Sequence, residues 1–249
     1  MTPAPAVGHA GWVRILHWII TLSVALLAFT GVEILMVHPR LYWGEVGNDL
    51  TPPLLELPIS RNYEHGGWST PTPFFADPSS PISASRTYDI FNQNGWGRSL
   101  HFLAGWFLVV TGAIYLMAGV VAGHFRRHLV PHASQRSWAQ LSGEVRDHLH
   151  MRIPPATGGP DYGLLQRLSY ALVVFVTLPL TVLTGVTMSP AITAALPFLL
   201  TVFGGHQSAR TIHFAAFVAT LVFLVVHVVM VVKSGFRRQM RAMTMGRTT

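Results

Sequence analysis

The sequence predicts an all-α integral membrane protein: a four-transmembrane-helix bundle with a long extracytoplasmic loop and both termini in the cytoplasm. Three observations predict it. Four apolar stretches, near 15–37, 100–123, 168–188 and 211–232, are each long enough to cross a hydrocarbon core of roughly 30 Å at about 1.5 Å per residue. Only 11% of the 249 residues are charged, against about a quarter in a typical soluble domain. Lys and Arg crowd the segments on one side of these stretches, which sets an orientation. In lipid the stretches must be helices, because a lone strand would leave its backbone unpaired. A soluble protein with four such buried helices would be left with too little polar surface.

The elements follow in order within one membrane domain, 1–249, with no linker. Residues 1–13 are a short polar leader. Arg14 alone among Lys and Arg precedes the first stretch. That stretch is too long for a signal-peptide core and closes on no small-residue cleavage site, so it reads as a retained helix. The loop 38–97 is rich in Pro, Gly and aromatics, as in His38-Pro39-Arg40-Leu41-Tyr42-Trp43-Gly44, Thr51-Pro52-Pro53 and Pro71-Thr72-Pro73-Phe74-Phe75. So long a connection is functional or disordered, and its aromatic content argues against disorder. It reads as an ordered cap, either a docking surface or a lid that shields a cofactor from water.

The loop 124–166 carries Arg126, Arg127, Arg136, Arg146 and Arg152, and the tail carries Lys233, Arg237, Arg238, Arg241 and Arg247. The cap has three Arg against six acids. The positive-inside rule therefore places both termini and the second loop in the cytoplasm. The net charge of +7 then reports topology and contact with membrane lipid; basic residues that merely flank spans do not indicate nucleic acid. A short helix is expected at 134–150. His124, His128, His132, His148 and His150 lack carboxylate or thiolate company at ligand spacing and read as interfacial polar residues. Pro190 and Pro197 break up the apolar run 191–203, which is too short to cross and reads as interfacial.

Three of the four stretches open with Arg-x-x-His: Arg14–His17, Arg98–His101 and Arg210–His213; the fourth opens with Arg167-Leu-Ser-Tyr170. With 13 His and 16 Arg, chance gives about 0.8 such pairs, so their placement at span starts weighs more than their number. Four histidines lie inside spans, His17, His101, His213 and His227, where metal-binding side chains are functional suspects. His213 and His227 are 14 residues apart, within about 40° of each other around the helix and about 21 Å apart along it. Depth pairs His101 with His213 near the outer surface and His17 with His227 near the inner one. Two bis-imidazole iron sites result, each suited to haem b. Both axial positions would be filled, which favours electron transfer over substrate binding at iron. Cysteine is absent, so the haems would be held non-covalently.

The arginines one turn before the histidines share their faces. Arg14, Arg98 and Arg210 read either as donors to haem propionates or as snorkelling topology markers. Arg167 and Tyr170 mark the inner start of the third helix, next to the inner haem or a quinone head group. Gly105, Gly112 and Gly119 recur at seven-residue spacing, and Thr-Gly recurs at Thr30-Gly31, Thr111-Gly112 and Thr184-Gly185. Such glycines, Gly31, Gly105 and Gly112 among them, make room for a flat macrocycle or for a neighbouring helix.

The Arg-x-x-His-Trp opening (Arg14 to Trp18), the Arg-x-x-His-Phe of the second and fourth helices, and the His-x13-His pair resemble the di-haem cytochrome b subunits of formate dehydrogenases, nickel–iron hydrogenases and thiosulfate reductases. The 38–44 stretch and Gln166-Arg167-Leu168-Ser169-Tyr170 look most similar to the thiosulfate-reductase type. The resemblance implies two b haems on four helices of the bacterial inner membrane. It further implies electron transfer between an extracytoplasmic oxidoreductase, often a molybdopterin enzyme, and membrane quinone. That partner would dock on the 38–97 cap. The long cap departs from the smallest members. A stand-alone quinone-linked enzyme, such as a superoxide oxidase, predicts activity without a partner and a short cap. A proton- or metal-linked transporter predicts acids inside several helices, and Glu33 is the one candidate.

Overall fold

A computed structural model of the chain describes residues 9–48, 51–57, 59, 94–131, 137–150 and 163–246. Helix α1 (Gly11–Val37) leads into a two-residue strand pair, β1 (Arg40–Leu41) with β2 (Leu55–Glu56). Then come α2 (Asn94–Val121), α3 (His124–His128), α4 (Trp138–Leu149) and α5 (Leu164–Leu172). A π-helical turn, Val173–Thr177, joins α5 to α6 (Leu178–Thr187). Two short helices, α7 (Pro190–Ala195) and α8 (Phe198–Phe203), precede the long α9 (His206–Lys233) and the terminal α10 (Phe236–Thr244). Among the described residues four helices have membrane length and composition: Gly11–Met36, Gly95–Val121, Leu164–Thr187 and His206–Lys233. The architecture is all-α and membrane-integral.

Each long helix starts about a turn before its apolar stretch does. Hydropathy marks only the part that sits in hydrocarbon, while the helix winds on through its polar first turn to keep backbone groups paired. The π turn stands just before Pro179. That residue cannot donate to the carbonyl four positions back and crowds it, so the wider turn accommodates the mismatch. The 191–203 run divides into α7 and α8 around Pro197, and the helix expected at 134–150 is α4. Residues 49–50, 58 and 60–93 of the cap and 132–136 and 151–162 of the second loop lie outside the described residues. The side chains are arranged inside-out relative to a soluble protein. Ser23, Thr30, Thr111, Thr177, Thr184, Thr187 and Thr220 are buried, while Leu22, Phe29, Phe107, Val121, Val225 and many other apolar residues are exposed. That is the pattern of helices solvated by lipid and joined through small polar side chains.

The contacts cluster into two compact units. The cap unit is Thr21–Val109 with Leu180–Phe217. Its strand pair aligns Arg40 with Glu56 and Leu41 with Leu55, and Arg40 Nε stands 3.1 Å from Glu56 Oε1. The chain after β1 caps α9. Gly44 O accepts from Gln207 N (2.9 Å) and Ser208 N (3.2 Å). Gly44 N donates to Ser208 Oγ at 2.7 Å, and His206 N donates to Glu45 Oε2 at 3.3 Å. Thr211 Oγ1 donates to Tyr42 O at 2.6 Å. The bonds from His206 N, Gln207 N and Ser208 N satisfy N–H groups that a helix start leaves unpaired, and Glu45 puts a carboxylate at its positive end. Gly205, at φ +109°, has to be glycine, because a Cβ there would lie 2.6 Å from the Gly44 carbonyl group.

The terminal unit is Met1–Ile20, Val110–Pro179 and Val218–Thr249. Here α10 folds onto the start of α1: Trp18 Nε1 donates to Met243 O (3.2 Å) and Arg14 Nη1 to Thr244 O (3.0 Å). Glu144 of α4 accepts from Leu164 N at 3.1 Å and Leu165 N at 2.8 Å, serving as an anionic cap for α5. The ring of Phe125 closes over Gly119, where any Cβ would overlap it, and packs edge-on against Phe175 with centroids 5.0 Å apart.

Candidate functional site

The four span histidines meet in two pairs, one in each unit. In the cap unit His101 of α2 faces His213 of α9, ring centroids 6.3 Å apart. In the terminal unit His17 of α1 faces His227 of α9, centroids 6.5 Å apart. An imidazole nitrogen sits about 2.0–2.1 Å from a bound metal and about 1.1 Å from its own ring centre, so two imidazoles on opposite sides of one ion place their centres about 6.3 Å apart. Both pairs match that spacing. Among the described residues no three His, Asp or Glu side chains converge on a metal position. Each pair therefore offers two ligands, which is what an iron already held by four porphyrin nitrogens requires. Along the His101 face, a Cβ at Gly105 or Gly112 would meet nothing within 4 Å, so open space adjoins the helix there. The residues fit haem b.

The two pairs are supported differently. Thr30 Oγ1 donates to Leu26 O at 2.7 Å, so its lone pairs face His101 Nδ1, 2.9 Å away. His213 Nδ1 stands 2.9 Å from Thr181 O and 3.1 Å from Thr184 Oγ1; the Thr184 hydroxyl donates to Leu180 O at 2.7 Å. A carbonyl can only accept, so His213 carries its proton on Nδ1, and the Thr30 arrangement assigns His101 the same tautomer. Nε2 is left as the lone-pair nitrogen in both rings. In the terminal unit His17 Nδ1 is buried without a hydrogen-bond partner among the described residues. His227 stacks on Phe223 at 5.6 Å and meets the Tyr170 ring edge at 6.0 Å.

The other anticipated site residues divide. Gly31 lies against His101, where a Cβ would come 3.7 Å from Cε1. Tyr170 is beside His227, and its hydroxyl accepts from Gln166 Nε2 at 2.9 Å. Arg98 is exposed, its guanidinium 6.0 Å from the Phe102 ring centre. Arg210 donates to the His38 carbonyl. Burial, followed by the charges of Arg210 and Arg98, lowers the pKa of His38, so two guanidiniums bear on one neutral imidazole at the start of the cap. Arg14 is engaged through Nη1 with α10, while its buried Nε has no partner among the described residues. Arg167, 2% exposed, donates to Arg127 O (3.3 Å) and Val130 O (3.2 Å). Those bonds close the end of α3, a structural use that its place in an Arg-x-x-Tyr motif does not suggest.

Sequence reasoning missed Thr30, Thr181 and Thr184. The repeated Thr-Gly dipeptide is the signal for Thr30 and Thr184; nothing local marks Thr181. It also missed the aromatic–imidazole group of the terminal unit, in which His124 lies 4.6 Å from His128 and 5.4 Å from Trp12 between ring centres. Burial, then the neighbouring His128, His9 and Arg127, holds His124 down at about 4, so that ring is neutral near pH 7.

The profile of the prokaryotic cytochrome b561 family matches residues 8–246. A curated relative from Azospira oryzae, named "Putative protein-methionine-sulfoxide reductase subunit YedZ1", is 25% identical over 223 residues, 90% of this chain and 89% of that one. No solved structure matches. The chain belongs to the prokaryotic cytochrome b561 family: it is a haem b-binding electron-transfer subunit of the bacterial inner membrane.

Proposed function

We propose that this cytochrome is a di-haem subunit carrying electrons between an extracytoplasmic oxidoreductase, docked on the 38–97 cap, and the membrane quinone pool. His101 and His213 hold the outer haem; His17 and His227 hold the inner one. The observation that carries this reading is the pair of cross-helix imidazole contacts at 6.3 and 6.5 Å. A haem held by each pair would supply a one-electron iron couple.

The remaining residues bind and orient. Arg98, with Arg210 beside it at the start of the cap, offers positive charge to propionates of the outer haem, and the unpartnered Nε of Arg14 does so for the inner one. Tyr170 and Gln166 place a hydroxyl and an amide next to His227, donors and acceptors of the kind a quinone head group needs. Arg167 serves the fold of α3. A reductase as partner is supported by the name of the Azospira relative, and a long cap suits a docked partner better than a stand-alone enzyme. The partner's class, a molybdopterin enzyme among the candidates, comes from the family resemblance.

Haem extraction and a reduced-minus-oxidised spectrum of the purified protein test the reading. Two haem b per chain is the expected result; one or none overturns it. Crosslinking from the cap in membranes should capture an extracytoplasmic oxidoreductase, and the absence of any such adduct removes the partner from the proposal.

A further inference from the structure

We propose that Thr30 and Thr184 are positioning residues for the cap unit's haem, each seating the Nδ1–H of an imidazole on the neighbouring helix and making that ring a stronger donor through Nε2. The inference rests on the reading of His101 and His213 as ligands, and goes beyond it by assigning a role to two threonines that touch no metal. Both are fully buried, each at 0% exposure. Both send their hydroxyl proton to the carbonyl four residues back at 2.7 Å, which turns the oxygen lone pairs toward the ring. Each is followed by a glycine that the same ring packs against: a Cβ at Gly31 would come 3.7 Å from His101 Cε1, and one at Gly185 would come 3.3 Å from His213 Cε1. The same Thr-Gly device thus receives both ligands of one site, α1 for the imidazole of α2 and α6 for that of α9.

Back-bonding alone does not make the device. Thr187, also fully buried, donates to Leu183 O at 2.7 Å with no imidazole bonded to it among the described residues. Among the described residues His17 Nδ1 has no hydrogen-bond partner, so the terminal unit does not repeat the device on that imidazole. An acceptor on the far nitrogen raises the basicity of a ligating imidazole and fixes its tautomer and orientation. A more electron-rich axial ligand favours ferric over ferrous iron, so the threonines lower the potential of the haem they serve. Loss of such a partner typically costs about 10–100-fold in metal affinity or activity.

The test is a redox titration of the purified holoprotein carrying Thr30→Val, which keeps the shape and removes the acceptor. Its outer-haem potential is expected to rise by about 59 mV, a tenfold change for one electron, while the inner haem stays put. Thr184→Val should shift it less, because Thr181 O remains on the same nitrogen. Thr30→Ser should restore the original value, and Thr187→Val should leave both haems unchanged. An unmoved outer potential in Thr30→Val, an equal shift in Thr30→Ser, or a shift shared by both haems overturns the proposal. If Thr30→Val does not accumulate, the Thr184→Val and Thr187→Val pair decides: equal potentials overturn it. Failure of the ligand reading itself looks different, since His101→Ala would then keep two haems.

Discussion

The two histidine pairs have almost the same separation and unlike surroundings. In the cap unit each imidazole is anchored on its far nitrogen by a threonine of the adjacent helix, and His213 by a carbonyl as well. In the terminal unit His17 Nδ1 has no anchor among the described residues, and His227 is positioned by Phe223 and Tyr170 through ring contacts. Hydrogen bonds define a direction and a tautomer, whereas stacked rings restrict rotation without choosing which nitrogen is protonated. The contrast teaches that one sequence motif, Arg-x-x-His, does not bring one environment with it. The environment comes from whatever the neighbouring helix presents at that depth.

The largest expected effects separate the pairs outright. His227→Ala should drop haem content from two per chain to one and leave the cap unit's spectrum intact, with His101→Ala giving the converse. Loss of both haems, or of neither, in the pyridine haemochrome assay would break the comparison at its root. Next comes Gly205→Ala. It forces a side chain into a left-handed conformation, a cost of about 1–3 kcal/mol, and drives Cβ into the Gly44 carbonyl that caps α9. A lowered melting temperature with disturbed outer-haem absorption is expected, and a melting curve and spectrum equal to wild type would show that the cap does not hold α9.

Gly185→Val should displace His213 and weaken outer-haem retention. Gly185→Ala, facing a tighter gap, should perturb that haem's potential more than Gly31→Ala does, and the reverse order would show that the two glycines are not ring seats. Arg98→Leu should move the outer haem's potential alone; an unchanged titration would make that arginine a topology marker.

The smallest effect is on pH dependence and belongs to the terminal unit. His124 has a folded pKa near 4 against 6.5 unfolded, so the unfolded chain takes up the proton first as pH falls. Its contribution is fully present above about 6.5 and is lost as pH falls toward 4. Thermal melts across that window should fall less steeply in His124→Gln than in wild type, by at most one proton's slope. Identical slopes would remove the group from the account.

Much of the candidate site was legible because it is written in local periodicity. Four spans, four histidines within them and the 14-residue spacing on α9 need only helix geometry and the length of a hydrocarbon core. The boundaries were less legible, since hydropathy does not register a polar first turn. The arginines were ambiguous for a physical reason. A long cationic side chain at a membrane surface can reach a cofactor, a carbonyl or water, and only the neighbours decide. Arg167 illustrates it: the chain 37–40 residues earlier in sequence supplies the carbonyls it binds.

By itself, then, the sequence determined an all-α membrane protein with an imidazole at the start of three helices and a second one deeper on the last. Residue type and period suffice for that, because lipid leaves the backbone no alternative to the helix. Only the tertiary structure decided that Thr30 meets His101 across 71 residues, that Gly44 caps α9, and that one pair is anchored while the other is packed. Those outcomes depend on the rotation and register of one helix against another, which follow from the whole set of contacts and from no single stretch of chain.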